Sequence, residues 1–329
     1  MTTKGIRVLY ENRYAVCVFV CVFILLSFVQ LYVPRPIVFL ERLLPGTGWI
    51  SIIVASTYVA LLFYKMQDIT KSAYWRKLSW TIFSVIFFLQ LILGLSGVEE
   101  FLMTGKLHLP VPAMILCGPL YRGELSFMPI LLIVTLLLCG PAWCSHLCYF
   151  GVWDHQLSGR KAVVRPLKYL QKIRAVSFVS FITGALIVRF FGNSSLALFF
   201  SVGAGIGGIL IMLFLSSKKR KMIHCIAYCP INSIAVAVKK FYPIRMGIRN
   251  DCSMCFVCAS YCQYDALTSD DLRKGRPGNT CTYCGDCLQS CNSRSIEYQL
   301  FRLNPRRARN IYLAITVSIH AIFLTLARI

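Results

Sequence analysis

Two runs of cysteine with the same spacing constrain this chain more than any other feature. Eight of its sixteen cysteines belong to them. Each run reads C-x2-C-x2-C-x3-C, so three thiols lie close together in sequence and a fourth follows. A segment this short cannot bury a large core, and crowded thiols of this kind predict cross-linking by metal or by disulfides. The first run is Cys252, Cys255, Cys258 and Cys262, and the second is Cys281, Cys284, Cys287 and Cys291.

This spacing resembles that of bacterial ferredoxins with two [4Fe–4S] clusters, in which the fourth cysteine of each run binds the other cluster. Zinc and structural disulfides are the alternatives, but zinc sites usually use two separated C-x2-C pairs. Gln263 and Asn292 stand where the ferredoxin motif has Pro, a residue that is not a ligand. The resemblance assigns Cys252, Cys255, Cys258 and Cys291 to cluster I, and Cys281, Cys284, Cys287 and Cys262 to cluster II.

The rest of the chain has the composition of a membrane protein. Hydrophobic residues make up 57% of it and charged residues only 15%, and the charges fall between long apolar runs. A formal net charge of +22 suggests nucleic-acid binding, but basic residues that flank apolar segments are typical of membrane orientation signals instead. Apolar runs long enough to cross a bilayer are predicted at 15–33, 48–64, 78–95, 126–143, 174–191, 195–215 and 311–328.

The distribution of Lys and Arg predicts the orientation of these spans. Segments 1–14, 65–77, 144–174 and 216–310 hold three, four, six and sixteen of them, whereas loops 34–47 and 96–125 hold two each. The positive-inside rule therefore places the N-terminus and the ferredoxin-like segment in the cytoplasm. We expect a multi-pass protein of the cytoplasmic (inner) membrane of a prokaryote, where a reducing cytosol favours thiolates over disulfides.

A second set of cysteines follows the fourth and sixth predicted spans, as the C-x3-C pairs Cys144/Cys148 and Cys225/Cys229. If each stretch is helical, both sulfurs of a pair point the same way. Two facing pairs supply four thiolates, enough for a third [4Fe–4S] cluster at the membrane surface. A zinc site, a redox dithiol and simple helix packing are the alternatives.

Several polar residues near these pairs allow simpler interpretations. His146 and His224 either tune a cluster or act as ligands. We interpret His155 as an interfacial polar residue and Asp154 as a solvated loop residue. The basic runs Lys218–Lys221 and Arg302–Arg309 are interpreted as headgroup anchors.

The cysteine blocks together resemble a known group. The stretch AWCSHLCYFG at 142–151 is similar to the W-C-x-x-x-C-P-x-G block of membrane-bound polyferredoxins, although Tyr149 replaces its Pro. HCIAYCP at 224–230 is similar to the second such block. With the tandem ferredoxin motif, residues 78–300 resemble the NapH/NosR/CcoG group. The resemblance implies electron transfer between the quinone/quinol pool and a partner redox protein, as an electron-transfer subunit of quinol dehydrogenase type.

A quinone site needs polar groups near a lipid-accessible cavity. Loop 96–125 offers weak candidates, and Gln90 in the third span is another. A maturation factor that uses the clusters as reductant in copper handling, and a transporter or sensor with a regulatory ferredoxin domain, are competing functions. The loop candidates are Glu99, Glu100, His108 and Arg122.

We therefore predict a polytopic α-helical membrane protein of about seven spans with a small α+β two-cluster bacterial-ferredoxin-like domain. Residues 1–240 are the predicted membrane domain, with both C-x3-C motifs on its cytoplasmic face. Residues 243–302 are the predicted 2×[4Fe–4S] ferredoxin domain, and 311–328 the C-terminal membrane helix. Membrane lipid is an expected partner and nucleic acid is not.

Overall fold

The computed structural model describes residues 3–34, 37–98, 101, 111–124, 127–159, 161–192 and 194–326, and the side chains of these except 3–12 and 127. The described chain is mostly helical, with one two-stranded sheet. In chain order the elements are α1 (Thr3–Tyr32), α2 (Phe39–Leu43), α3 (Gly48–Gln67), α4 (Ile69–Leu95), α5 (Pro112–Arg122), α6 (Phe127–Cys139), α7 (Gly151–Leu157), α8 (Leu170–Phe191), α9 (Ser194–Leu210), α10 (Ser217–Lys219), α11 (Pro230–Lys239), β1 (Ile244–Ile248), α12 (Ser269–Arg273), β2 (Ile296–Leu300) and α13 (Pro305–Leu326).

Seven helical stretches of the described chain are long and apolar enough to cross a membrane, which confirms the predicted number. The third begins at Ile69 rather than at 78, because the Asp68 carboxylate caps the helix there by accepting from Thr70 N at 2.9 Å. They are Arg13–Tyr32, Gly48–Gln67, Ile69–Leu95, Met128–Leu147, Leu170–Phe191, Ser194–Lys219 and Pro305–Leu326.

The last of these also begins earlier than the predicted 311–328. Asn304 Oδ1 accepts from Arg306 N at 2.9 Å, and Pro305 at the first helical position has no N–H to satisfy. The helix therefore starts within the basic run, which the sequence analysis treated as a flank.

The chain divides into two compact units, and the first is Met1–His108 with Leu303–Ile329. Its core is formed by α1, α3 and α13, with buried side chains such as Leu26, Phe63 and Val317. His320 of α13 bonds to Tyr58 of α3, with 3.1 Å between Nε2 and the phenol oxygen. Such a bond between helices satisfies a polar group in an apolar interior.

Arg309 was interpreted as a headgroup anchor, and this is wrong. Its side chain is buried and donates to the carbonyls of Met66 at 2.7 Å and Gln67 at 2.8 Å, at the end of α3. The last carbonyls of a helix have no partner within the helix and carry partial negative charge. Arg309 therefore caps α3.

The second unit is Leu109–Arg302 and contains both C-x3-C pairs and both ferredoxin-like runs. Its apolar core includes Cys117, Phe181 and Ala185. Part of the loop predicted at 96–125 is helical, because Pro112 opens α5 and Gly123 closes it at φ +74°.

The strands β1 and β2 lie within the segment predicted as the ferredoxin domain. They pair antiparallel, with Ile244 opposite Leu300 and Ile248 opposite Ile296. The first cysteine run begins just after β1, and the second ends just before β2. This pairing therefore brings the start of the first run near the end of the second.

Candidate iron–sulfur sites

The two C-x3-C pairs share one backbone conformation. Each pair begins inside a π-helical turn, at Trp143–Leu147 and His224–Tyr228, rather than in the α-helix assumed from the sequence. A backbone hydrogen bond that spans five residues closes each turn. Cys148 N donates to Trp143 O at 2.9 Å, and Cys229 N donates to His224 O at 2.8 Å. Short π-helical turns are rare and occur frequently at functional sites. The repeated geometry places the first cysteine of each pair inside the turn and the second directly after it.

The four cysteines of these pairs converge and are buried. Burial, followed by the charges of Asp154, Cys148, Cys229 and Cys144, raises the pKa of the Cys225 thiol well above its usual value. Burial and the neighbouring Cys148 likewise raise the pKa of Cys229 to about 12. Such thiols are protonated at neutral pH, so any metal or cluster that binds them must displace protons.

Asp154 was interpreted as a solvated loop residue, and this is wrong. Its side chain is fully buried in α7, and Oδ2 accepts from Cys225 N at 3.0 Å. Burial raises the pKa of Asp154 to about 6. A buried carboxylate must be hydrogen-bonded to be tolerated. Asp154 therefore links the helix after the first pair to the backbone of the second pair.

Asn232 is a site residue that the sequence analysis missed. It is 2% exposed, and its side chain hydrogen-bonds the Cys144 sulfur. It lies in the first turn of α11, three residues after Cys229. A polar residue so close to a predicted ligand was the available signal.

The three histidines near these pairs are all buried. His146 Nδ1 lies 3.0 Å from Ser145 Oγ, and burial lowers the pKa of His224 to about 3, so this ring is neutral. His155 was interpreted as an interfacial residue, but it is 8% exposed and its Nε2 lies 3.9 Å from Asp286 Oδ2. Its partner is thus a residue of the second ferredoxin-like run.

Glycines of α9 allow the second C-x3-C segment to pack closely. A Cβ on Gly208 would lie 2.8 Å from the His224 ring, and one on Gly207 would lie 3.1 Å from the Tyr228 hydroxyl. A Cβ on Gly203, one turn earlier in α9, would meet no atom within 4 Å, so the close approach depends on the adjacent pair Gly207 and Gly208.

The cysteines assigned to cluster II line one cavity. It contains about 330 Å³ free of protein atoms, part of it open to solvent. Met246, Tyr264 and Leu267 contribute to its lining. Cys262 comes from the first run, yet it faces this cavity with the three cysteines of the second run. The four lining cysteines are Cys262, Cys281, Cys284 and Cys287.

The cysteines assigned to cluster I meet at the end of the sheet. Arg249 N bonds to Ser295 O at 2.9 Å, so the β1–β2 pairing extends toward both runs. Burial raises the pKa of Cys258 to about 11, and the charges of Cys291, Cys252 and Cys255 add to this rise. Cys291 thus lies close to the first run, although it belongs to the second.

The backbone of both runs repeats an uncommon conformation that suits an anionic cluster. The second and fourth residues after the first cysteine have positive φ in each run: Met254 and Phe256 at +54° and +59°, Tyr283 and Gly285 at +59° and +78°. Non-glycine residues seldom adopt this conformation. When residues of left-handed and right-handed helical conformation alternate, successive backbone N–H groups point to the same side. This creates the anion-binding concavities found at many Fe–S sites. The residues present therefore fit the cofactor that the spacing predicted.

Among the described residues, no three His, Cys, Asp or Glu side chains are arranged to hold a single metal ion. A cubane does not need such convergence, because its four thiolates bind four different irons.

The C-x3-C pairs and the second ferredoxin-like run are in direct contact. Ser145, which follows Cys144, donates from Oγ to Thr282 O at 3.4 Å. Thr282 follows Cys281, and Asp286, the partner of His155, precedes Cys287. Two separate contacts therefore join the helical part of this unit to the loop that carries three cluster II cysteines.

Lys221 holds the first ferredoxin-like run to the same unit. It was interpreted as a headgroup anchor, and this is wrong, because its side chain is 2% exposed and forms an ion pair with Asp265. The ammonium also donates to Arg165 O at 2.7 Å, and Asp265 Oδ2 accepts from Leu167 N at 2.8 Å. Asp265 lies three residues after Cys262, so this network fixes the chain beside a predicted ligand.

Of the residues predicted for a quinone site, the structure describes only Arg122 and Gln90. Arg122 ends α5 and is exposed. Gln90 is 5% exposed in α4, and its Oε1 has no hydrogen-bond partner among the described residues. The remaining candidates, Glu99, Glu100 and His108, lie outside the described residues.

Comparison with known proteins supports iron–sulfur chemistry. The model of the family described as "4Fe-4S binding domain" matches residues 123–166, which include Cys144 and Cys148. No curated protein and no solved structure matches the chain. The match and the seven apolar helices together fit a membrane protein that binds a [4Fe–4S] cluster.

Proposed function

We propose that this chain is a membrane-bound iron–sulfur electron-transfer protein that passes electrons between the quinone pool and a partner redox protein. It would act as an electron-transfer subunit of an oxidoreductase, in a complex with other proteins. The family match and the apolar helices support the iron–sulfur and membrane parts of this proposal. The quinone and the partner rest on the resemblance of the motifs.

The observation that carries the proposal is the contact between the segments that carry the C-x3-C cysteines and those assigned to cluster II. A third cluster would be held by Cys144, Cys148, Cys225 and Cys229. Ser145, the residue after Cys144, donates to the Thr282 carbonyl in the loop that carries three cysteines assigned to cluster II. When bound, such clusters accept and release single electrons. Side chains that keep the two sets in contact shorten the distance an electron must cross.

Polar side chains around the C-x3-C set have distinct tasks in this proposal. Asp154 orients the Cys225 backbone, and Asn232 donates to the Cys144 sulfur. The contact of His155 with Asp286 holds α7 against the second run. Hydrogen bonds to cluster sulfurs and the burial of a site set its reduction potential.

The orientation is part of the proposal and rests on the Lys and Arg distribution. The ferredoxin-like segment would lie in the cytoplasm of a prokaryote, and all clusters with it. A quinone would enter from the lipid and reach the C-x3-C set, whose sulfurs are buried.

The test is the iron and sulfide content per chain of anaerobically purified protein, with EPR spectra after dithionite reduction. About twelve irons support three clusters, and about eight leave the C-x3-C set without one. Zinc without sulfide refutes the electron-transfer function. Reduction of the clusters by a ubiquinol or menaquinol analogue, absent in a Cys144→Ser/Cys229→Ser variant, supports the quinone link.

A further inference from the structure

The cluster I cysteines are the most accessible of the three predicted sets. Cys255 is exposed, Cys252 and Cys291 are half-buried and Cys258 is buried. The set assigned to cluster II has no exposed cysteine, and all four cysteines of the C-x3-C set are buried. The cluster II loop makes the contacts with the C-x3-C set described above. Cluster I therefore lies at the solvent end of the proposed electron path.

Exposed basic side chains surround this solvent end. Arg249 follows β1 and Arg294 precedes β2, and the Arg249 guanidinium donates to Arg294 O at 3.4 Å. Asp251 pairs with Arg249 at 2.9 Å, but both side chains stay about half exposed. We call the two arginines with the cluster I cysteines the cluster I rim.

The turn after α12 adds more positive charge to the rim. Ile248 N bonds to Gly275 O at 2.8 Å, so this turn lies beside the last residue of β1. Arg273, Lys274 and Arg276 are exposed there, against one exposed acidic residue, Asp270. The rim and this turn together therefore carry five exposed basic side chains against two exposed carboxylates, Asp251 and Asp270.

We infer that the cluster I rim is the docking surface for a soluble one-electron carrier protein with an acidic face. The inference rests on the proposed function and names its partner by charge. Complementary charge steers redox partners into short-lived complexes that need little buried area. Anionic lipid also attracts basic residues, but a lipid headgroup makes no use of accessible cluster ligands at the same surface.

Arg302 offers a matched control. It is exposed, belongs to the same unit and follows β2, at the opposite end of the sheet from Arg294. Arg302→Glu changes the net charge as much as Arg294→Glu does, so it separates the rim from overall charge.

The experiment measures binding of oxidised plant-type [2Fe–2S] ferredoxin, an acidic carrier, to the full chain immobilised in detergent at low salt. Arg294→Glu should weaken binding by about threefold or more, and Arg302→Glu, with the same change of charge, by less than about twofold. Arg249→Glu/Arg294→Glu should weaken it by about tenfold or more. The milder Arg249→Gln/Arg294→Gln should weaken it by about threefold, which guards against misfolding of the loop. Binding should also weaken as salt is raised.

Three results would overturn the inference. They are no binding by the unaltered chain, equal loss with Arg302→Glu, and rim variants that lose affinity only for phosphatidylglycerol vesicles and not for the ferredoxin. Iron content and dithionite EPR spectra of the same preparations test the proposed function separately. Full cluster content with unchanged ferredoxin binding would remove the docking surface alone.

Discussion

The ion pair between Lys221 and Asp265 allows the attachment of the ferredoxin-like segment to be tested quantitatively. The two side chains are 2% and 6% exposed. Lys221→Met removes the cation and leaves a buried carboxylate with only the Leu167 N–H as a described donor. The Arg165 carbonyl that Lys221 also binds belongs to an exposed residue, so water can replace that bond.

Two unit charges about 4 Å apart attract by about 4 kcal/mol at an effective dielectric constant of about 20. Removal of one partner from a buried pair costs about 3–5 kcal/mol, and the remaining Leu167 donor favours the lower end. A loss of about 3 kcal/mol lowers the unfolding midpoint of a domain this size by roughly 6–12 °C.

The assay follows the visible absorption of the clusters during heating at a fixed rate, in detergent and without oxygen. Lys221→Met should show the full shift, and the exposed neighbour Lys219→Met should change stability by less than about 0.5 kcal/mol. Asp265→Asn removes the buried charge but keeps an acceptor for Leu167 N. The double variant Lys221→Met/Asp265→Asn should therefore recover much of the stability that Lys221→Met alone loses. Two single losses that simply add would refute the coupling, as would equal midpoints for the Lys221 and Lys219 variants.

Three further predictions concern the cysteine sites and one close contact. Cys291→Ser should abolish the same EPR signal as Cys255→Ser and remove about four irons, because Cys291 lies near the first run. If Cys291→Ser instead abolished the signal that Cys284→Ser abolishes, the cluster assignment would be contradicted. Asp154→Ala should lower the free energy of unfolding by about 1–3 kcal/mol, because it leaves the buried Cys225 N–H without an acceptor. Asp154→Asn should lower it much less. Thermal unfolding midpoints compare the two variants, and equal losses would argue against the hydrogen bond. Gly140→Ala should lower the thermal unfolding midpoint by an amount equivalent to about 2 kcal/mol, because Gly140 has φ +59° and an added Cβ would lie 2.8 Å from the Tyr242 ring. Gly159 also has positive φ, but its Cβ would meet nothing within 4 Å, so Gly159→Ala should have a smaller effect. Equal shifts would exclude a packing effect.

The spacing of the cysteines predicts iron–sulfur chemistry in the two ferredoxin-like runs, because ligands close in sequence are close in any compact conformation. The family match supports a [4Fe–4S] cluster only for the segment with Cys144 and Cys148. The number of spans was also predictable, since the apolar length needed to cross a bilayer is a local property. Helix ends were less predictable. Asp68 and Asn304 cap α4 and α13 earlier than the hydropathy suggested, because a cap depends on one hydrogen bond and not on average polarity.

Errors concentrated on charged residues outside the cysteine runs. Asp154, Lys221 and Arg309 all look like surface residues in the sequence, and all are buried with specific partners. Isolated charges usually stay in water because burial without a partner is costly. No local pattern shows that a partner lies far away in the chain, so sequence reasoning places such residues on the surface by default.

By itself the sequence determined the apolar spans, and it carries the prediction of the thiol chemistry and the resemblance on which the quinone link depends. Only the tertiary structure decided which sulfurs meet. The β1–β2 register places Cys291 near Cys258, and the packing of two π-helical turns brings together pairs about eighty residues apart. The physical reason is that spacing and hydropathy act over a few residues, whereas strand register and helix packing depend on contacts that form only when the whole unit folds.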